Sequence, residues 1–108
     1  MFTKFDEYEL QDFFEKEPVC IGEYEAGNRI YTIEENFFEL LMVVDTYKAI
    51  VELSISYQDN LVYRGTYKNV EEIRKSDDKA IRIVIEKENR IVLKKGKQIG
   101  IIMEADND

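Results

Sequence analysis

Histidine and tryptophan are absent from these 108 residues, and cysteine and proline occur once each. Without histidine, a serine or cysteine nucleophile lacks its usual base, and the commonest metal ligand and neutral-pH proton shuttle are both missing. Most hydrolase templates fail on that ground. The single cysteine, Cys20, excludes an internal disulfide framework, so a reducing cytosol is the expected setting. The five glycines, Gly22, Gly27, Gly65, Gly96 and Gly100, stand apart. Neither G-x-x-x-x-G-K-[ST] nor G-x-G-x-x-G occurs, which leaves phosphate-cradling loops without support. The longest unbroken apolar run covers residues 40–44, far short of the ~20 residues a membrane span requires. No basic-then-apolar leader opens the sequence, so secretion and membrane attachment are not expected.

What is present is acid and aromatic. The net charge is −8, and 44% of the residues are hydrophobic, among them seven Tyr and six Phe. That composition suits one globular core, and a chain of this length has surface enough to bury for one domain only. The charge is uneven. Residues 1–39 hold eleven carboxylates against three cations, whereas residues 79–97 hold seven cations against two carboxylates.

Thr3 as N-cap and Asp6 in the first turn predict an amphipathic helix running to about residue 16, with Phe2, Phe5, Leu10, Phe13 and Phe14 on one face and Pro18 as its stop. Beyond Pro18 the period becomes alternating. Residues 19–24 and 29–33 predict a hairpin around Ala26-Gly27-Asn28. Ala49, Val51, Leu53, Ile55 and Tyr57 share one face of a half-buried strand, Gln58-Asp59-Asn60 makes a turn, and residues 61–68 return with a bulge at Gly65. Asn69 is expected to cap a short helical turn over residues 70–75. Residues 80–86, 90–94 and 98–103 read as a three-strand meander with Ile81, Ile83, Ile85, Ile91, Leu93, Ile99, Ile101 and Met103 inward. Residues 34–44 are ambiguous. Thr32 with Glu35 fits a capping box, but the apolar run favours a strand with two apolar faces, of which the helix can cover one.

The expected fold is therefore α+β, an N-terminal amphipathic helix packed on a mainly antiparallel, twisted sheet of about six to eight strands, a meander curled toward a barrel or sandwich. Residues 1–103 make a single domain and residues 104–108 a flexible acidic tail.

No constellation in the chain reads as catalytic. Glu34 with Glu39, or Asp77 with Asp78, could pair, but among 23 acids some must fall close by chance, and they are assigned to the solvated surface. No calcium loop, metal site or cofactor is expected. Cys20, among Glu17, Glu23 and Glu25, is read as a small core residue and not a nucleophile. The basic stretch is read as the wet face of a sheet, because the acidity of the rest of the chain opposes approach to nucleic acid.

The acidic N-terminal third is the feature that points to a function. Glu7, Tyr8, Glu9, Asp12, Glu15, Glu23, Tyr24, Glu25 and Tyr31 form the candidate partner-binding set, because tyrosines within a charged rim anchor interfaces and a negative field steers a basic protein. The expectation is a small cytosolic, non-enzymatic module that masks or inhibits a basic protein, as an immunity protein does. Its alternatives are a self-associating structural subunit built on residues 37–44 and a small-ligand pocket inside a curled sheet with weak activity. The acidic-face reading holds only if those carboxylates are not met by the chain's own lysines.

Overall fold

A computed structural model of the chain describes residues 3–20, 27–86, 89–96 and 99–105, the last two by their backbone alone. Ten strands and one helix follow in the order β1 (Lys4–Phe5), α1 (Glu7–Phe14), β2 (Val19–Cys20), β3 (Asn28–Glu35), β4 (Phe38–Asp45), β5 (Ile50–Tyr57), β6 (Asn60–Tyr67), β7 (Val70–Asp77), β8 (Ala80–Ile85), β9 (Asn89–Lys94) and β10 (Gly100–Ala105). They form two five-stranded sheets and no closed barrel. One sheet runs β2-β3-β4-β5-β6, the other β1-β7-β8-β9-β10, and every pairing is antiparallel except β1 with β7. The fold is α+β and sheet-dominated as expected, but the described residues form ten strands where six to eight were expected.

The additional strands come from two segments misread as helical. The ladder of β7 with β8 takes up residues 70–75, expected as a helical turn, and Asn69 is no cap. Its tolerance of positive φ, here 59°, instead lets the chain cross from the first sheet to the second. At the N-terminus Thr3 does not cap α1. Its hydroxyl donates to the Val70 carbonyl at 2.9 Å in a buried position, and Lys4 and Phe5 pair with Glu72 and Ile73. Asp6 is the cap, its carboxylate accepting from the Tyr8 amide at 2.8 Å. The helix ends at a left-handed Glu15, ahead of Pro18. Phe2 and the expected turn at Ala26 lie outside the described residues.

The ambiguous stretch resolves as strand. Residues 34 and 35 complete β3, Asn36 and Phe37 turn, and β4 runs from Phe38. Thr32 and Glu35 therefore make no capping box, because the paired ladder on both sides of β4 satisfies more backbone groups than one helical turn could. The bulge expected at Gly65 lies instead at Val62, where the register shifts between Ile55 and Ser56. Gly65 pairs regularly with Leu53, and a Cβ there would stand 2.6 Å from the Tyr63 hydroxyl and 2.8 Å from that of Tyr67, which hydrogen-bond each other above it.

Side chains from both sheets and α1 form one core. Leu10, Phe13 and Phe14 of the helix meet Tyr31, Met42, Leu53, Ile73, Ile83 and Leu93, all essentially inaccessible. Phe14 packs on Tyr31 with ring centroids 5.1 Å apart. The meander carries its expected inward set except Met103, which is 60% exposed on the outermost strand, where the core stops short of it. Cys20, expected in the core, is exposed because β2 is a two-residue edge strand. β10 continues to Ala105 and so takes up the first two residues of the expected tail, and residues 106–108 lie outside the described residues.

Candidate protein interface

Four of the carboxylates singled out in the sequence sit on α1 or at its C-cap, and each meets a group of the chain itself. Glu7 pairs with Arg29 at 2.8 Å; Arg29 is 8% exposed and lies 5.4 Å over the Phe5 ring. Glu9 accepts from the Lys75 amide at 2.7 Å, a donor on β7 past the point where the short β1 gives out. The carboxylate thus replaces the missing strand. Asp12 hydrogen-bonds the Lys75 ammonium, and that bond, with the charge behind it, holds the Asp12 carboxyl below its ordinary value. The same bond raises the Lys75 ammonium above its own, against the opposing effect of burial. Glu15 lies 3.6 Å from the Lys95 ammonium, which also donates to the Phe13 carbonyl and sits 5.0 Å over the Phe13 ring. Since α1 carries no cation in its last turn, this distant lysine serves its negative end.

The α1 face is therefore largely a set of internal ion pairs. Tyr8 remains 82% exposed beside an open hollow of about 680 Å³ between the helix start and β7. Tyr31, at 1% exposure, is a core residue and presents nothing to a partner. Glu23, Tyr24 and Glu25 lie outside the described residues.

The structure gathers a second acidic group that the sequence had not marked as a binding surface. Asn36 and Phe37 at the β3–β4 tip have φ of 50° and 72°, and Gln58 and Asp59 at the β5–β6 tip have φ of 49° and 67°. Two successive positive φ values are what a two-residue hairpin turn matching the strand twist requires. The Gln58 amide donates to the Phe37 carbonyl at 3.0 Å, which ties the tips together. Register places Glu34 directly opposite Glu39. Phe38 and Tyr57 stack with centroids 4.6 Å apart, and Phe37 is 74% exposed. The sequence signal for this end was the phenylalanine at a turn position that glycine fills best, hidden by the helical reading of residues 34–44.

Cations gather elsewhere. Arg74 stands opposite Arg82 in the second sheet, and both line, with Arg90, a separate hollow of about 370 Å³. The polarity of the sequence is only partly kept in space, because Lys95 of the basic stretch meets Glu15 of the acidic third. Among the described residues no group of three or more Asp, Glu, His or Cys is placed to hold a metal ion, and no helix is long and apolar enough to cross a membrane.

No family model matches the chain, and no curated protein matches its sequence. Among solved structures it is similar to a chain of the contact-dependent growth inhibition toxin–immunity protein complex from Klebsiella pneumoniae 342, with a TM-score of 0.80 and 20% identity. The superposition covers 96% of this chain and 98% of that one, so the two share a fold from end to end.

Proposed function

We propose that this chain is a non-enzymatic inhibitor of the immunity type, which binds a basic protein in the cytosol and masks it. The observation that carries the reading is the end-to-end likeness of fold to a chain from a toxin–immunity pair. Composition favours the immunity side of such a pair. A chain with no histidine and no phosphate-binding loop has little with which to act on a target, whereas a protein with net charge −8 is well suited to meeting a cationic surface. Fold alone does not transmit a function, so the partner's chemistry has to come from this chain's own surface.

The test is capture by the full chain in its native host at about 50 mM and about 300 mM salt, ionic strengths that screen exposed charge weakly and strongly. The expected result is a basic protein that is held at low salt, is released as salt rises, and loses its own activity at one equivalent of the chain. A captured protein that stays fully active, or recovery of only further copies of the chain, overturns the reading.

A further inference from the structure

We infer that the end of the first sheet formed by the β3–β4 and β5–β6 tips and the start of β6 is the docking surface for a basic protein, with Phe37 as its anchor and Glu34, Glu39 and Asp59 as its rim. The inference rests on the inhibitor reading above and says where that inhibitor makes contact.

Three observations converge on this end. The first is apolar exposure concentrated in one place. Phe37 is 74% exposed, Leu61 59%, Val62 58% and Tyr57 37%, and the Phe38 ring packs against that of Tyr57 at a tilt of 56°. Leu61 lies opposite Ser56 in the ladder, immediately past the second tip, and so shares a face of this sheet end with Ser56 and Glu39, while Phe38 and Tyr57 lie on the other face. A hollow of about 300 Å³ opens among Glu34, Phe37, Phe38, Glu39, Ser56 and Asp59. An exposed aromatic ring beside a hollow with a charged rim is the usual anatomy of a protein contact.

The second is the state of the rim charges. No ion pair joins Glu34, Glu39 or Asp59 to a described residue, and Glu34 faces Glu39 directly, an arrangement that costs the sheet stability. Both cations on the strands of this sheet are engaged, Arg29 by Glu7 and Arg64 by Glu52, each at 2.8 Å. The carboxylates of α1, by contrast, already have Arg29, Lys75 and Lys95. The charge left over for a partner is therefore at the hairpin end, and its sign selects a partner presenting Lys or Arg around an apolar pocket.

The third is the availability of backbone. β6 is the outermost strand of its sheet, and its start, beside the patch, carries no lysine or proline to discourage approach along the edge.

The experiment places the photoreactive residue p-benzoylphenylalanine at position 37 or, separately, at position 8, in the full chain expressed in the native host. Position 8 reports the α1 face, where Tyr8 is equally open. The expected product is a cross-link from position 37, and not from position 8, to the basic protein that the chain inhibits. With that protein purified, Phe37→Gly and the double variant Glu34→Lys, Glu39→Lys each weaken binding about 30-fold or more, as loss of a central anchor or reversal of its rim does, while neither lowers the melting temperature of the free chain. Asp12→Asn leaves the affinity unchanged. A cross-link from position 8 alone, a cross-link to a second copy of the chain, or unchanged affinity of both variants overturns the surface while leaving the inhibitor reading intact. Failure of the captured protein to be inhibited overturns both.

Discussion

Asp12 and Lys75 show how a residue that looked available in the sequence is spent inside the fold. The carboxyl is held low by its hydrogen bond to the ammonium and then by the ammonium's charge. A carboxyl whose value is lower folded than unfolded adds stability above its unfolded value, and that stability disappears as pH falls through the folded value. Denaturant unfolding followed from pH 5 down to pH 2 is therefore expected to show the wild-type chain losing stability more steeply than Asp12→Asn. Equal slopes would remove the pair's role. The pairing was not legible in the sequence, because 63 positions separate the partners and nothing local in either segment names the other. Arg29 teaches the same lesson. It is one of three cations in an acidic third, yet it is the one drawn into the interior, where Glu7 and the Phe5 ring make its burial tolerable.

At the scale of elements, alternation was read correctly wherever it was clean. β5 and the three strands of the meander appear where the pattern put them, with Val51, Leu53, Ile55, Ile81, Ile83, Ile91 and Leu93 buried. Short segments failed where two local signals competed. Thr3 is a passable cap, but Asp6 caps and leaves Thr3 free to bond Val70 across the molecule. Asn69 suits a helix start and suits a left-handed crossover equally, and the available ladder to β8 decided between them. The β3–β4 tip makes a sharper forecast. Phe37 holds a left-handed conformation that costs a side-chain-bearing residue roughly 1–2 kcal/mol, so Phe37→Gly should stabilise the free chain by about 0.5–1 kcal/mol after the larger entropy of unfolded glycine is subtracted. Chemical denaturation of the purified variant measures it. A loss of stability would mean that the ring supports the fold, and the case for it as a partner's anchor would weaken.

For the molecule as a whole, one core joins two sheets and a helix, and it forecasts cooperativity. Leu53, fully buried on β5, packs in the same cluster as Leu93 on β9. Leu53→Ala should cost about 2–5 kcal/mol, the usual range for emptying a buried leucine, and should lower amide protection in both sheets alike. Protection lost from the β2–β6 sheet alone would show two independent units where the sequence suggests a single domain. The distribution of charge also belongs to this scale. Eleven carboxylates in the first 39 residues read as one acidic face, but among the described residues folding sets Glu7, Asp12 and Glu15 against the chain's own cations and leaves Glu34 and Glu39 at the open end of β3 and β4.

Composition and periodicity alone determined that this is an acidic chain with an α+β, sheet-dominated fold and without the usual catalytic or phosphate-binding motifs, because those properties depend on which residues are present and how they alternate along the chain. Only the tertiary structure decided which carboxylates are met by the chain's own cations and which face solvent beside exposed aromatic rings. Partnership between charges depends on distance in space, and antiparallel pairing brings Glu34 against Glu39 and α1 against Lys75 and Lys95 in ways that no local pattern encodes.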